Sequence, residues 1–436
     1  MAISRAPRLG QGWVAAFSCP TFWLLQEGGR RGRREGLTFV QDSCPGSSLL
    51  RMPRGSMAGL LAAGTHGFLR GPLLGLPLVH SCPIGPHTPG ASFLRGPLAR
   101  KLPCARRASG SAFNVPPSAE DTARPVGIGS MFKLPLWDSA EGLDVAFVGV
   151  PLDIGTSHRP GTRFGPGHLR TESILVRRYN PSTGADPFHS LRVADLGDVD
   201  INLFDLKDSC RRVREAFRGI MSGGCIPLTL GGDHTITYPI LQAVAEKHGP
   251  VALVHVDAHT DTADLALGER IYHGSPFRRS VEEGLLDSQR VFQIGIQGSS
   301  YSPDPYRFSW DQGFRVVLAE ECWGKSLAPL MVEVRGQVGD RPLYISFDID
   351  ALDPAFAPGT GTPEIAGLTP AQALEIIRGC QGLRIVGADL VEVAPMYDLS
   401  GSTGVLGANL LFELLCALPG VKRQPVPQQA DSTSRD

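Results

Sequence analysis

Three short stretches concentrate carboxylates and imidazoles. "GGDHT" delivers Asp233 and His234, "DAHTD" delivers Asp257, His259 and Asp261, and "DID" delivers Asp348 and Asp350. In extended chain, side chains two positions apart point the same way, so Asp257, His259 and Asp261 converge, as do Asp348 and Asp350. Taken singly, an Asp after a strand shapes a turn or caps a helix, and a lone His is more often a hydrogen-bonded core residue. Taken together, independent caps have no reason to produce both D-x-H-x-D and D-x-D. Carboxylates buried at the ends of apolar runs are costly unless a cation compensates them. His234, Asp257, His259, Asp261, Asp348 and Asp350 therefore imply a metal site of more than one ion. Four carboxylates, two imidazoles and no thiolate suit Mn²⁺ better than a structural Zn²⁺. Two Mn²⁺ ions would offset the four Asp charges and share a water acidic enough to attack a poor electrophile near neutral pH.

The elements that must position these groups are apolar, β-branched runs. "CIPLTL", "VALVHV" and "PLYISF" each lead directly into one of the three stretches. Four similar runs start near Leu143, Leu191, Arg290 and Arg384, giving seven strands in all. Helix-like segments alternate with them, such as "LKDSCRRVREAFRGIMSGG", "YPILQAVAEKHG" and "LTPAQALEIIRGC". The last has Thr369 as N-cap before Pro370. Strand and helix in alternation predict an α/β fold, a three-layer α/β/α domain with a doubly wound parallel sheet. Ligands in such sheets bind beyond the carboxyl ends of the strands, where these acids and imidazoles fall. No G-x-G-x-x-G loop opens a helix, so a dinucleotide site is not supported.

Charge divides the chain. The 436 residues carry a net charge of −1, yet residues 1–119 hold thirteen Arg and one Lys against three acids, a net of +11. Ser43 to Ala119 contains no Asp or Glu. Residues 1–119, Arg-rich, Ser-containing and acid-poor, read as a mitochondrial targeting leader or disordered extension: 1–56 as an extension from an upstream start, and a self-contained transit peptide opening at the alternative start Met57. A catalytic domain follows at 120–425, and 426–436 reads as a disordered tail. A secretory signal around Trp13–Leu25 is a weaker alternative. No apolar run is long enough for a membrane span, and Arg scattered among Gly and Pro does not make a nucleic-acid-binding arm. Nine cysteines without a C-x-x-C pair argue against a zinc finger or disulfide scaffold.

The motifs "GGDHT", "DAHTD", "SFDIDALDPAFAPGTGTPEIAGLT" and "DLVEVAP", in this order, resemble the ureohydrolases, the family of arginase, agmatinase and their guanidino-acid relatives. The likeness covers roughly residues 125–420. It implies one manganese on His234, Asp257, Asp261 and Asp348 and a second on Asp257, His259, Asp348 and Asp350. Asp233 would then orient ligands or shape the turn. Glu392 in "LVEVAP" would accept a forked pair of hydrogen bonds from the substrate guanidinium. His273 in "IYHGSPF" would carry a proton to the leaving amine. Catalysis by His273, Asp261 and Glu392 would release urea and a primary amine.

The tail of the guanidine is less legible. Arginases hold the α-amino and α-carboxylate groups of arginine with small polar residues, Asn and Ser among them. "TADLALGERIY" lacks these, which disfavours arginine. Agmatine, giving putrescine, would want an acid such as Asp264 or Glu269. A guanidino acid such as 4-guanidinobutanoate, giving 4-aminobutanoate, would want a cation such as Arg159, Arg163 or Arg270. Family likeness favours agmatine. Two other readings are a zinc deacetylase, which would lack the second-metal ligands, and a catalytically silent metal-binding interaction protein. The resemblance also implies a homo-oligomer, trimer or hexamer.

Overall fold

The computed structural model describes residues 114–120 and 122–425. The leader predicted at 1–119 lies outside the described residues except for Asn114 to Ala119, and so does the tail at 426–436. Asn114 is buried, and its amide donates to the Leu191 carbonyl at 3.1 Å.

The apolar runs form the expected strands: β1 (Val145–Gly149), β2 (Val193–Asp198), β3 (Ile226–Leu230), β4 (Val251–Val256), β5 (Leu286–Ile296), β6 (Arg315–Leu318), β7 (Pro342–Asp348) and β8 (Arg384–Val391). All eight join one parallel sheet in the order β2-β1-β3-β8-β7-β4-β5-β6. Seven coincide with the predicted runs. The edge strand β6 was missed because its four residues are too few to show a period.

Strand alternation explains the three layers. On β1, Val145 and Phe147 join one apolar cluster while Ala146 and Val148 join another. On β4, Ala252 and Val254 separate from Val251 and Leu253 in the same way. A sheet with an apolar cluster on each face must be covered by helices on both. Fully burying one such Phe or Val contributes about 1.5–3 kcal/mol.

The helices start where their caps direct. Asp205 accepts from the Asp208 N–H at 3.0 Å and opens the helix Leu206–Ser222. Thr369 and Gln372 form a capping box on Pro370–Gly379. Gly249, at φ 74°, ends Thr237–His248. The helix Ser402–Ala417 is buried on nearly every side, so its sequence carries little amphipathic signal. Among the described residues, no helix is long and apolar enough to cross a membrane.

The central strands β3, β8, β7 and β4 lie side by side, and the sequence motifs leave the sheet from their carboxyl ends. Just below those ends, sheet register aligns a row of buried polar side chains. Gln293 on β5 stands opposite His255 on β4, His255 opposite Ser346 on β7, and Ser346 opposite Asp389 on β8.

Candidate metal centre and catalytic cavity

His234 opens a short 3-10 turn after β3, and the Asp233 side chain caps that turn by accepting the Thr235 N–H at 3.0 Å. The other Asp233 oxygen accepts the Gly155 N–H at 2.9 Å, so this residue both shapes the turn and fastens a loop from β1. Burial, reinforced by Glu392, pushes its carboxyl up to about 6.

His234 Nδ1 faces Asp257, Asp261 and Asp348 oxygens at 3.1, 3.0 and 3.2 Å. It is fully buried and has no hydrogen bond of acceptable geometry. A nitrogen orphaned among three carboxylate oxygens is arranged as a ligand to a shared cation. Its other ring nitrogen, Nε2, meets Ser346 Oγ at 2.9 Å, and Ser346 donates to Asp389 Oδ1 at 2.6 Å. That chain keeps the Nε2 proton in place and leaves the Nδ1 lone pair for a metal.

His259 Nδ1 lies 3.4 Å from Asp257 Oδ1 and 3.2 Å from Asp350 Oδ2. Asp257, His259 and Asp350 bring ligand atoms close enough to hold one ion, and His234 meets Asp257 on the other side. Asp257 is thus common to both groupings. The clustered carboxylates repel one another. Burial, then Asp350 and Asp257, drive the Asp348 carboxyl well above its usual range, and burial drives Asp350 up to about 6. Burial opposes ionisation of Asp257 too, but His255 and His234 outweigh it and hold that carboxyl well below its usual range. These residues fit a pair of dications, since cations would relieve the repulsion of four clustered carboxylates.

Sequence reasoning missed His255, Gln293, Ser346 and Asp389. His255 Nε2 approaches Asp257 Oδ2 at 2.7 Å, while the Gln293 amide meets Nδ1 at 3.1 Å. Ser309 donates to Gln293 Oε1 at 2.7 Å, and Gln293 Nε2 also donates to Thr260 O at 2.7 Å. The amide is thereby oriented with its N–H toward Nδ1, so Nε2–H donates to Asp257. His255 therefore holds the Asp257 carboxylate in place. Its signal in the sequence was its place near the end of β4, two residues before Asp257.

Glu392 leaves β8 at φ 63°, in the left-handed region, as Asp261 does at φ 49°. Such conformations cost about 1–3 kcal/mol each and cluster at functional sites. Glu392 Oε1 accepts the His234 N–H at 2.8 Å and pairs with His273 Nδ1 at 3.0 Å. Its Oε2 is buried without a partner among the described residues. Burial disfavours the charged form of His273, but the Glu392 carboxylate outweighs it and pushes the imidazole up to about 9.

Asp261, His259, His273, Asp348 and Asp350 line a cavity of about 680 Å³, together with Ser157, Tyr272, Thr362, Glu364 and the segment 296–306. The tail candidates fare differently. Asp264 does not line the cavity and pairs with Arg279 at 2.7 Å. Arg163 binds the buried Asp153, with Nε 2.5 Å from Oδ1, and Arg270 pairs with Glu282 at 2.6 Å. Each already has an ionic partner, and none of them, nor Arg159, is among the cavity-lining residues. Arg159 has no ion pair among the described residues, and its guanidinium rests over the Tyr397 ring at 5.2 Å.

Residues 143–417 match the model of the arginase family. The chain belongs to the arginase family. It is accordingly a ureohydrolase, which sets aside the silent-protein and deacetylase readings. The mitochondrial agmatinase of Gallus gallus is 75% identical over 320 residues, 73% of this chain and 93% of that protein. The mitochondrial guanidino acid hydrolase of Homo sapiens is 71% identical over 316 residues, 72% of this chain and 90% of that protein. Both names agree with the mitochondrial location expected of this arginase-family chain. Among solved structures, the proclavaminate amidinohydrolase of Streptomyces clavuligerus is 39% identical with a TM-score of 0.65, covering 68% of this chain and all of that one.

Proposed function

We propose that this ureohydrolase acts on a linear guanidino acid, with 4-guanidinobutanoate as the model substrate, giving urea and an amino acid. The observation that carries the tail assignment is Arg159, a half-buried cation without an ionic partner among the described residues. Its main chain borders the site. A Cβ built on Gly361 would lie 3.0 Å from Arg159 O and 3.6 Å from Glu392 Oε2. Agmatine, the tail favoured by sequence likeness, is the second reading. In its favour, Glu364 and Asp304 line the cavity, and no Lys or Arg is among the described lining residues.

His234, Asp257, Asp261 and Asp348 would hold one manganese, and Asp257, His259, Asp348 and Asp350 the other. The convergence of His234 Nδ1 on three carboxylates supports this assignment. When bound, the ions supply Lewis acidity and an acidified water. The protein's own groups do the rest. The unpartnered Glu392 Oε2 accepts the guanidinium and aligns its central carbon. His234 N–H and His273 hold Oε1, so the carboxylate does not turn away. His273 returns a proton to the departing amine as the carbon–nitrogen bond breaks. Addition of one water across that bond leaves urea and the primary amine.

Residues 1–119 act, in this proposal, as a mitochondrial leader before a 120–425 catalytic domain, and the assembly is a trimer or hexamer. Urea release by the manganese-loaded protein from 4-guanidinobutanoate, 3-guanidinopropanoate, agmatine and arginine tests the substrate. The acids should give the highest kcat/KM, and Arg159→Gln should raise their KM about tenfold while sparing agmatine. Agmatine as the best substrate, with Arg159→Gln silent on every compound, would reverse the assignment.

A further inference from the structure

Ser157 is unassigned so far, although it lines the cavity and sits directly on the proton carrier. Its Oγ is 2.6 Å from His273 Nε2, and its main-chain N–H donates to the same nitrogen at 3.1 Å. The opposite ring nitrogen is engaged by Glu392, so the ring is gripped at both ends. The loop that carries Ser157 is fixed on either side of it. Gly155 N–H donates to Asp233, His273 N–H donates to Gly155 O at 3.0 Å, and Gly161 N–H donates to Asp153 at 2.9 Å. The Ser157 side chain itself remains exposed to the cavity.

This arrangement poses a problem for any direct transfer from His273. Its Nε2 is the ring atom not held by Glu392, and the Ser157 hydroxyl already occupies it. The charges around the ring are Glu392 at the end of β8, Asp233 after β3 and Asp261 after β4, with the Tyr272 ring beside it. All three carboxylates favour the charged imidazole. The Ser157 N–H opposes them, because a donor aimed at Nε2 is satisfied only when that nitrogen is unprotonated. A hydroxyl suits both states, donating to the neutral ring and accepting from the charged one.

We propose that Ser157 is a further catalytic residue, relaying the proton between His273 Nε2 and the leaving amine in the cavity. In the outward direction, Nε2–H passes to Ser157 Oγ while the Ser157 hydroxyl proton passes to the leaving amine. The ring ends neutral, the hydroxyl is restored, and the amine departs protonated. The reverse path recharges the ring with the proton released when water is deprotonated for attack, so one proton is taken and one returned per turnover. The relay does not depend on which guanidine tail is correct, because it concerns the leaving nitrogen common to all of them.

The test uses the manganese-loaded full chain and whichever guanidine of the panel is hydrolysed fastest. Ser157→Ala should lower kcat about 10²-fold, leave KM within about twofold and leave bound manganese unchanged. The kcat of the wild type in H₂O–D₂O mixtures should curve, as two moving protons require, and that of Ser157→Ala should be linear. Ser157→Thr, which keeps the hydroxyl, should recover most of the lost kcat. A Ser157→Ala enzyme with wild-type kcat and isotope curvature would overturn the relay. So would Ser157→Thr as slow as Ser157→Ala, since the loss would then follow the Ser side-chain shape and not its hydroxyl.

Discussion

The inner and outer ends of the catalytic cavity are built on different principles. At the inner end, His234, Asp257 and Glu392 each follow a central strand and are met by fixed partners. His234 is held by Ser346 and by the caps of its own turn, Asp257 by His255, and Glu392 by His234 and His273. At the outer end, the lining comes from loops, and Tyr301 there is fully solvent-exposed. The difference teaches where each property resides. Bond-breaking groups are anchored beside the sheet, whereas the proposed choice of tail rests on Arg159, a side chain with few partners that stands outside the described cavity lining.

The sharpest way to break this contrast is at its innermost point. Asp257→Ala should abolish both manganese loading and urea release, measured by elemental analysis and turnover. A variant that kept both would remove Asp257 from the centre. Next in size is Glu392→Gln, expected to raise KM about 10- to 100-fold through lost charged hydrogen bonds, with metal content intact. It also tests pH dependence. His273 is held up to about 9 by Glu392, so the imidazolium persists at neutral pH and is lost as pH rises toward that value. Removing the carboxylate charge should move the alkaline limb of kcat to lower pH. An unmoved limb would detach that limb from His273. Ser346→Ala comes third and should weaken manganese affinity about 10- to 100-fold, because His234 would lose the group that fixes its tautomer. At the far end of the scale, Asp264→Asn should alter no kinetic constant by more than about twofold. A large change in KM for agmatine alone would return Asp264 to the tail site.

The same contrast governs how much could be read from the sequence. D-x-H-x-D and D-x-D announce themselves by clustered type, but their convergence is made beyond the strand ends and not by extended chain, with Asp261 at φ 49° and Asp350 in the 3-10 turn Ile349–Ala351. The seven longer strands were legible because their runs are mostly apolar and long enough to stand out. Ser346 and Asp389, by contrast, are single polar residues inside apolar runs and pair only through sheet register. Ser157 lies 116 residues from His273, and no local pattern connects them. Asp264 and Arg163 looked available because their partners, Arg279 and Asp153, are chosen by the folded loops.

The buried row of Gln293, His255, Ser346 and Asp389 has a consequence for assembly of the sheet itself. Apolar strands such as β7 and β8 can slide past one another with modest loss, since one Val or Ile replaces another. A slip of one residue would turn Ser346 to the opposite face and leave His234 and Asp389 facing hydrocarbon. Each buried polar group so stranded costs about 1–3 kcal/mol. Mispaired strands are thus disfavoured by the same polar groups that surround the proposed metal centre, so the residues that serve the site also fix the register of the sheet.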